Sequence, residues 1–242
     1  MKVLLCIDDT DNIDSIGTGE LLENMCGELE RRGLGRGGFV TRHQLFISDK
    51  IAYTSHNSSM CCQVETEDFD ALAAFAGEYL DRGCAEGSDP GLCVFKCDEE
   101  GDVESLLDFG RRAKEEVLSK KEAYDLAKSY SGRLHLSQHG GTGDGVIGAL
   151  AGVGLRLTGN DGKVKGKIKP DAPGEILTVA RMLEKFGLGQ IKSEDGSVAG
   201  AEELVRFDAV TKAVFLDNMV TVLAEKRDGY WIPKPKANKV KK

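Results

Sequence analysis

The segment Lys2-Val3-Leu4-Leu5-Cys6-Ile7-Asp8-Asp9-Thr10-Asp11 sets the pattern from which the fold is predicted. Its apolar run is typical of a short buried strand, and the acidic residues that follow it indicate a turn. Apolar residues then recur at helical spacing from Leu21 to Leu29, with Thr18 as a candidate cap and Gly33 at the end. A buried strand followed by an amphipathic helix is the basic unit of an α/β protein.

The same alternation continues along the chain. Further strands are predicted at 40–46, 59–65, 91–97 and 132–138, and further helices at 69–80, about 103–118, 119–130 and 146–157. Ser119 and Glu122 form a capping box that starts one of these helices. The sequence therefore predicts an α/β (α+β) fold with mixed sheets and helices.

The pattern changes after Gly159. The elements predicted there are a helix at 173–186 and a β-hairpin of 211–216 and 219–225 around Asp217-Asn218. We expect a small α+β C-terminal region over 166–232. Residues 233–242 contain five lysines and no core-forming residue, which predicts a disordered basic tail.

Composition restricts the function classes. The 242 residues are 40% hydrophobic, enough for a core, and their net charge of −8 argues against a surface that binds a phosphate backbone throughout. No run of about 18 apolar residues is present, so we expect a soluble, cytoplasmic protein that does not enter a membrane. The seven cysteines are odd in number and irregularly spaced, which favours reduced thiols over disulfides or zinc.

Three carboxylates follow the first predicted strand: Asp8, Asp9 and Asp11. Such strand ends are common ligand sites in α/β sheets, and clustered carboxylate oxygens suit Mg²⁺. The alternative is a turn whose side chains only cap the helix that follows. These residues alone leave both interpretations open.

A glycine-rich turn connects the predicted strand at 132–138 to a helix. Its candidate cofactor-binding residues are Gly140, Gly141, Thr142, Gly143, Asp144 and Gly145. Glycines let the backbone approach a ligand closely, and a helix N-terminus offers unpaired N–H groups to phosphate. Residues 143–148 also match GxGxxG, which keeps an NAD-binding enzyme as an alternative. A third interpretation is a tight connection needed only for packing.

Polar residues of the middle segment are candidate substrate contacts: Arg42, His43, His56 and Asn57. Imidazole titrates near neutrality and serves as an acid, a base or a hydrogen-bond donor to phosphate. A solvated loop explains the composition of this segment equally well. The turn at 88–91 needs no function. No Ser/His/Asp order or GxSxG supports a hydrolase triad.

Two of these motifs together resemble one family. Residues 3–11 followed by Gly17-Thr18-Gly19 are similar to the IDDTD opening of the archaeal tRNA agmatinylcytidine synthetases, and residues 141–154 resemble their GNGRGLIGALAAIG segment. These enzymes use ATP to activate an anticodon cytidine and attach agmatine. The resemblance implies a kinase-like domain combined with a ferredoxin-like domain over residues 1–165.

The resemblance also implies roles for individual residues. Asp8, Asp9 and Asp11 would hold Mg²⁺ on the phosphates of ATP, where charge spreads over oxygens during phosphoryl transfer. Thr18 stands at a threonine position of the family in the turn before the first helix, where it would contact phosphate or be modified. Its alternative role is the helix cap noted above.

Several positions depart from the family pattern. Residues 52–59 correspond to the basic PWKTRGNG stretch but contain neither Lys nor Arg, Asp144 replaces an Arg of the glycine turn, and Gly17 replaces a cysteine. The zinc ribbon has no counterpart. We therefore expect a Mg²⁺–ATP-dependent phosphotransferase or ligase with a small amine or metabolite as acceptor rather than tRNA. The alternatives are a non-catalytic nucleotide or small-molecule sensor and an NAD-binding enzyme.

Overall fold

The computed structural model describes residues 1–51 and 56–236. The chain divides into two compact units, Met1–Thr158 and Gly159–Lys242. Gly159 has a φ of 69°, a backbone conformation that glycine adopts easily, and it directly follows the end of a long helix. The division therefore follows Thr158, whereas the sequence pattern placed it after residue 165.

The first unit contains five strands and five helices within its described residues. They are β1 (Lys2–Asp8), α1 (Thr18–Arg31), β2 (Arg36–Gln44), β3 (Ser58–Glu65), α2 (Phe69–Gly83), β4 (Gly91–Lys96), α3 (Glu104–Arg112), α4 (Lys120–Lys128), β5 (Leu134–Gln138) and α5 (Gly145–Leu157). The first six elements have the βαββαβ order of ferredoxin-like folds. The predicted capping box of Ser119 and Glu122 is confirmed at the start of α4.

These strands form one antiparallel sheet in the order β5-β4-β1-β3-β2. Strand β1 is central, since Cys6 pairs with Cys61 on β3 and with Cys93 on β4. Strand β5 lies at one edge. The predicted α/β class is confirmed, with a ferredoxin-like sheet at its centre.

Helices cover both faces of this sheet. Val3, Leu5 and Ile7 of β1 pack in a core with α1 and α2, whereas Leu4 and Cys6 pack with α3, α4 and α5. Because successive side chains of a strand point to opposite faces, Asp8 lies on the α5 face. The end of β1 thereby directs one carboxylate toward the N-terminal half of α5.

The second unit is a small α+β structure. It contains β6 (Lys163–Val164), β7 (Glu175–Thr178), α6 (Val179–Phe186), β8 (Gln190–Lys192), β9 (Leu204–Phe207), β10 (Ala213–Leu216), β11 (Met219–Arg227) and β12 (Tyr230–Pro233). Its β8–β11 and β9–β12 pairs are parallel and the others antiparallel, so the pairing is mixed. The predicted hairpin is confirmed, because β10 and β11 pair around Asp217 and Asn218, whose φ angles are 53° and 60°.

Two predictions for this unit need correction. The helix predicted at 173–186 begins only at Val179, because β7 pairs with β9 and Thr178 caps α6. The tail predicted from residue 233 is paired at its start, since the backbone N–H groups of Lys234 and Lys236 donate to carbonyl oxygens. Residues 237–242, the rest of that predicted tail, lie outside the described residues.

None of the helices described is long and apolar enough to cross a lipid bilayer. All seven cysteines are free thiols.

Candidate functional site

The side chain of Asp8 lies directly against helix α5. A Cβ atom added at Gly148 would stand 1.6 Å from Asp8 Oδ2, so the helix reaches the carboxylate only because residue 148 has no side chain. Asp8 is 9% exposed. The Asp8 carboxylate therefore contacts the first turn of α5, on the α5 face of the sheet.

The next residues are fixed by the loop between α2 and β4. Asp9 has a φ of 49°, a conformation that non-glycine residues rarely adopt. The carbonyl oxygen of Asp9 accepts a hydrogen bond from the Asp89 N–H at 3.1 Å, and that of Thr10 accepts one from the Ala85 N–H at 3.1 Å. These two bonds hold the acidic turn in its unusual conformation.

Thr18 contacts the acidic turn and does not cap the helix. It is the first residue of α1, and the N-cap position belongs to Gly17, which has no side-chain cap. The Thr18 hydroxyl donates to Asp11 Oδ1 at 3.0 Å instead. The capping role considered for Thr18 is therefore wrong, because its hydroxyl is directed back toward the carboxylate.

Carboxylates crowd this turn and disfavour one another's charge. Burial, together with the neighbouring charges of Asp9 and Asp11, raises the pKa of Asp8 to about 8, although a hydrogen bond from the Asp9 backbone opposes the shift. Burial, Asp89 and Asp11 together raise the pKa of Asp9 to about 6. A cation bound here would relieve this repulsion.

The protein alone does not form a complete metal site. Among residues 1–51 and 56–236, no group of three or more His, Cys, Asp or Glu side chains is arranged to hold an ion. Mg²⁺ is commonly bound by one or two carboxylates together with substrate phosphates and water. The acidic turn fits that shared arrangement, in which Asp8, Asp9 and Asp11 were expected to hold Mg²⁺ on the phosphates of ATP.

The glycine-rich turn is organised by Asp89, a residue that the sequence interpretation assigned to a simple turn. The Asp89 carboxylate accepts hydrogen bonds from the Thr142 hydroxyl at 2.5 Å, the Gly143 N–H at 2.6 Å and the Asp144 N–H at 3.1 Å. The N–H groups of Gly143 and Asp144, which were predicted to bind phosphate, therefore already donate to the Asp89 carboxylate. No local pattern marks Asp89, because its partners lie more than fifty residues further along the chain.

Two glycines of this region are required by packing. A Cβ at Gly145 would lie 2.0 Å from the carbonyl oxygen of Asp89, and one at Gly91 would lie 2.1 Å from the carbonyl carbon of Gly145. The tight-connection interpretation therefore accounts for Gly145. Gly140 and Gly141 have φ angles of 147° and 57° and stand before this packed contact.

Helix α5 starts without a side-chain cap. Its N-cap residue is Asp144, whose side chain makes no capping hydrogen bond. The first N–H groups of a helix lack partners within the helix and favour anions. The uncapped end of α5 thus lies on the same face as Asp8 and one turn away from it.

The four candidate substrate residues do not all lie on one face of the sheet. Arg42 and His43 are neighbours in β2 and so point to opposite faces of the sheet. His43 is fully buried, with Nε2 2.8 Å from the Thr41 hydroxyl. Asn57 donates from Nδ2 to the Phe46 carbonyl oxygen at 2.6 Å, and His56 is exposed. Residues 52–55 of the polar run lie outside the described residues.

The strand before the glycine-rich turn contradicts the NAD-binding alternative. Strand β5 pairs antiparallel with β4 at the edge of an antiparallel sheet. A dinucleotide-binding GxGxxG follows a strand of a parallel sheet in a βαβ unit. The glycines at 143–148 therefore connect an antiparallel edge strand to α5 and do not form a dinucleotide-binding motif.

Neither a protein-family model nor a curated protein matches the chain. Solved structures match it: apo TiaS, a tRNA agmatidine synthetase, has a TM-score of 0.53 and 28% identity over 64% of this chain and 35% of that chain. The chain is TiaS-like in structure. A complex of TiaS with tRNA and ATP matches with a TM-score of 0.54 and 29% identity over 64% of this chain and 36% of that one.

A tRNA fluorescent labeling enzyme is similar as well, with a TM-score of 0.54 and 26% identity over 75% of this chain and 42% of that chain. The chain spans well under half the length of these solved TiaS-like chains. The fold of this chain is therefore similar to that of part of an ATP-using, tRNA-modifying synthetase.

Proposed function

We propose that the chain binds ATP with Mg²⁺ between the acidic turn and the start of α5, and uses it to activate or phosphorylate a small-molecule acceptor. One observation carries the proposal. The Asp8 carboxylate contacts α5 at Gly148, one turn from an N-terminus that no side chain caps. A carboxylate for the cation and backbone donors for the phosphates are thereby combined in one place.

Other features of the acidic turn fit the same ligand. The Thr10 hydroxyl is buried with no hydrogen-bond partner in the part of the chain that the structure describes. Asp8 and Asp9 have raised pKa values because they are buried near like charges. A divalent cation would neutralise this charge and the charge on the phosphates. The similarity to a TiaS structure solved with ATP independently supports ATP as the ligand.

The residues have distinct roles in this proposal. One or two of Asp8, Asp9 and Asp11 bind the ion, and the first N–H groups of α5 with those of Gly140 and Gly141 bind phosphate oxygens. Asp89 orders the intervening part of the turn, since it holds the N–H of Gly143. Thr18 directs its hydroxyl to Asp11 and orients that carboxylate.

A small amine or metabolite is the acceptor that we favour over tRNA. The net charge of −8 and Asp144 in the glycine turn disfavour a nucleic acid, whose backbone charge extends far beyond the one position that a bound cation neutralises. The free thiols fit a reducing compartment such as the cytoplasm. TiaS itself is known in a complex with a tRNA, so tRNA is included as a test substrate.

Calorimetry and thermal unfolding with ATP–Mg²⁺, ATP with EDTA, NAD and agmatine test the proposal. We expect ATP–Mg²⁺ to bind and to raise Tm, and Asp8→Asn to abolish both effects. Asp14→Asn, an exposed carboxylate in the same loop, is the matched control and retains binding. Absence of nucleotide binding at millimolar concentration refutes the proposal. Binding without turnover of any acceptor, unchanged in Asp8→Asn, supports the sensor instead.

A further inference from the structure

A second polar cluster lies on the opposite face of the same sheet. His135 and Ser137 are alternate residues of the edge strand β5, and His139 follows directly. Leu134 and Leu136, which point the other way, pack against the core beneath α5. The cluster therefore lies on the α2 face, away from the carboxylate of Asp8.

Four side chains of this cluster form a continuous hydrogen-bonded chain. Ser137 Oγ lies 2.8 Å from His139 Nε2, and His139 Nδ1 lies 2.7 Å from Asp81 Oδ1 on α2. His135 Nε2 lies 2.9 Å from Ser137 Oγ on its other side. A serine, a histidine and an aspartate within these distances have the connectivity of a nucleophile, its base and the group that orients the base.

The direction of each hydrogen bond follows from the end of the chain. In the tautomer of His139 that donates from Nδ1 to the Asp81 carboxylate, Nε2 is the acceptor, and this is the form that a catalytic base requires. Ser137 therefore donates its proton to His139. His135 then donates from Nε2 to the Ser137 oxygen. Burial is the main cause that lowers the pKa of His135, and the lowered pKa favours the neutral ring with a single N–H.

Packing holds the base in one orientation. The His139 side chain is 10% exposed, and a Cβ at Gly77 of α2 would lie 2.9 Å from His139 Cε1. The ring therefore rests against the helix at a position that has no side chain. Ser137 is only partly buried and stands on the edge strand β5.

We propose that Ser137, with His139 and Asp81, is a second reactive site that accepts acyl groups from small uncharged esters. Asp70 and Asp81 beside the cluster disfavour anionic substrates, which is why a neutral ester is the class expected. The serine lies on the face opposite Asp8 and its chemistry needs no ATP, although His139 directly precedes Gly140 of the glycine-rich turn.

The proposed reaction is ester hydrolysis, and water is the only other reactant. Ser137 Oγ bonds to the ester carbonyl carbon while its proton passes to His139 Nε2. The bond to the leaving alcohol then breaks, and the alcohol takes that proton from His139. Water repeats the sequence on the acyl-serine and releases the carboxylic acid. His135 donates to the Ser137 oxygen and thereby fixes its position beside His139.

Phenylmethylsulfonyl fluoride and p-nitrophenyl acetate are the probes for this site. We expect one sulfonyl adduct per chain, mapped to Ser137 by peptide mass, and acetate-ester hydrolysis at least about 100-fold above that of Ser137→Ala. Ser105→Ala, on α3, is the matched control and keeps both activities. Labelling that persists in Ser137→Ala, or equal hydrolysis by both variants, overturns the proposal.

The positioning role of Asp81 needs a readout beyond stability. Asp81→Asn should lower the labelling rate about 100-fold or more, whereas Asp81→Glu, which keeps a carboxylate, should recover part of it. Ser137→Cys guards against a variant that fails to fold, since it keeps a nucleophile and should form an acetyl thioester. Equal labelling rates for Asp81→Asn and the wild type contradict the positioning role of Asp81. This test does not depend on the nucleotide site, since Ser137 labelling is measured without ATP and should be the same in Asp8→Asn.

Discussion

The carboxylate of Asp89 accepts a hydrogen bond from the backbone N–H of Gly143 at 2.6 Å, across 54 residues of sequence. The backbone N–H of Asp89 donates in turn to the carbonyl oxygen of Asp9. One residue thus ties the acidic turn to the glycine-rich turn. An internal carboxylate occupies the middle of the turn, so a bound phosphate has to use the donors on either side of it.

Asp89→Ala tests this organising role. The substitution leaves the N–H of the buried Gly143 without its acceptor, and an unsatisfied buried donor costs about 1–3 kcal/mol. We expect the free energy of unfolding in urea to fall by that amount. Asp14→Ala removes an exposed carboxylate nearby and should change it by less than about 0.5 kcal/mol. Equal effects of the two substitutions would contradict the role.

Gly148→Ala tests the contact between α5 and Asp8. The added methyl group would lie 1.6 Å from Asp8 Oδ2, so the carboxylate or the helix has to move, at a cost of about 1–3 kcal/mol. ATP–Mg²⁺ affinity should fall with it, measured by calorimetry. Gly27→Ala is the control in α1, where a Cβ meets nothing within 4 Å and should stabilise by about 0.5–1 kcal/mol. A stabilised Gly148→Ala variant with normal binding would refute the contact.

Asn57→Ala separates a structural role from a substrate contact. Its side chain donates to the Phe46 carbonyl oxygen at 2.6 Å and is largely buried. We expect a loss of about 1–3 kcal/mol in the free energy of unfolding, with ATP–Mg²⁺ affinity unchanged. Asp49→Ala, exposed in the same loop region, should be neutral. Normal stability with impaired turnover would restore the substrate role inferred from the sequence.

Features that depend on neighbouring residues were predictable from the sequence. The capping box of Ser119 and Glu122 spans one turn, and the Asp217-Asn218 hairpin needs two residues with positive φ. The acidic end of β1 was likewise visible as a motif. Residues 173–186 were misassigned because β7 is decided by its pairing with β9, a contact that helical periodicity does not report.

The missed residues are those that act across long separations. Asp89 contacts a turn 54 residues away, and Asp81 contacts His139 across 58 residues. A single sequence carries no signal for either pair, because each lies on a different element that only folding brings together. The order Asp81, Ser137, His139 therefore passes unnoticed until β5 is placed beside α2.

Asp8 should make the unliganded protein less stable as pH rises. Burial, with Asp9 and Asp11 nearby, raises its pKa from 3.8 to about 8 in the folded state. Between these values the unfolded chain has lost the proton and the native protein retains it, so stability falls by up to about 1.4 kcal/mol per pH unit. Urea unfolding between pH 5 and 8 should show this slope in the wild type and a flatter one in Asp8→Asn. Parallel curves would contradict the buried protonated carboxyl.

Binding of ATP–Mg²⁺ should release protons, because a cation requires ionised carboxylates. Burial near like charges raises the pKa of Asp8 to about 8 and that of Asp9 to about 6, so at pH 7 the first of these groups is mostly protonated before binding. Calorimetry in HEPES and in Tris should give binding enthalpies that differ by the difference between the two buffers' ionisation enthalpies, multiplied by about one proton. The apparent affinity should rise up to about tenfold per pH unit between pH 6 and 8. Equal enthalpies in the two buffers, with binding intact, would place the cation away from Asp8.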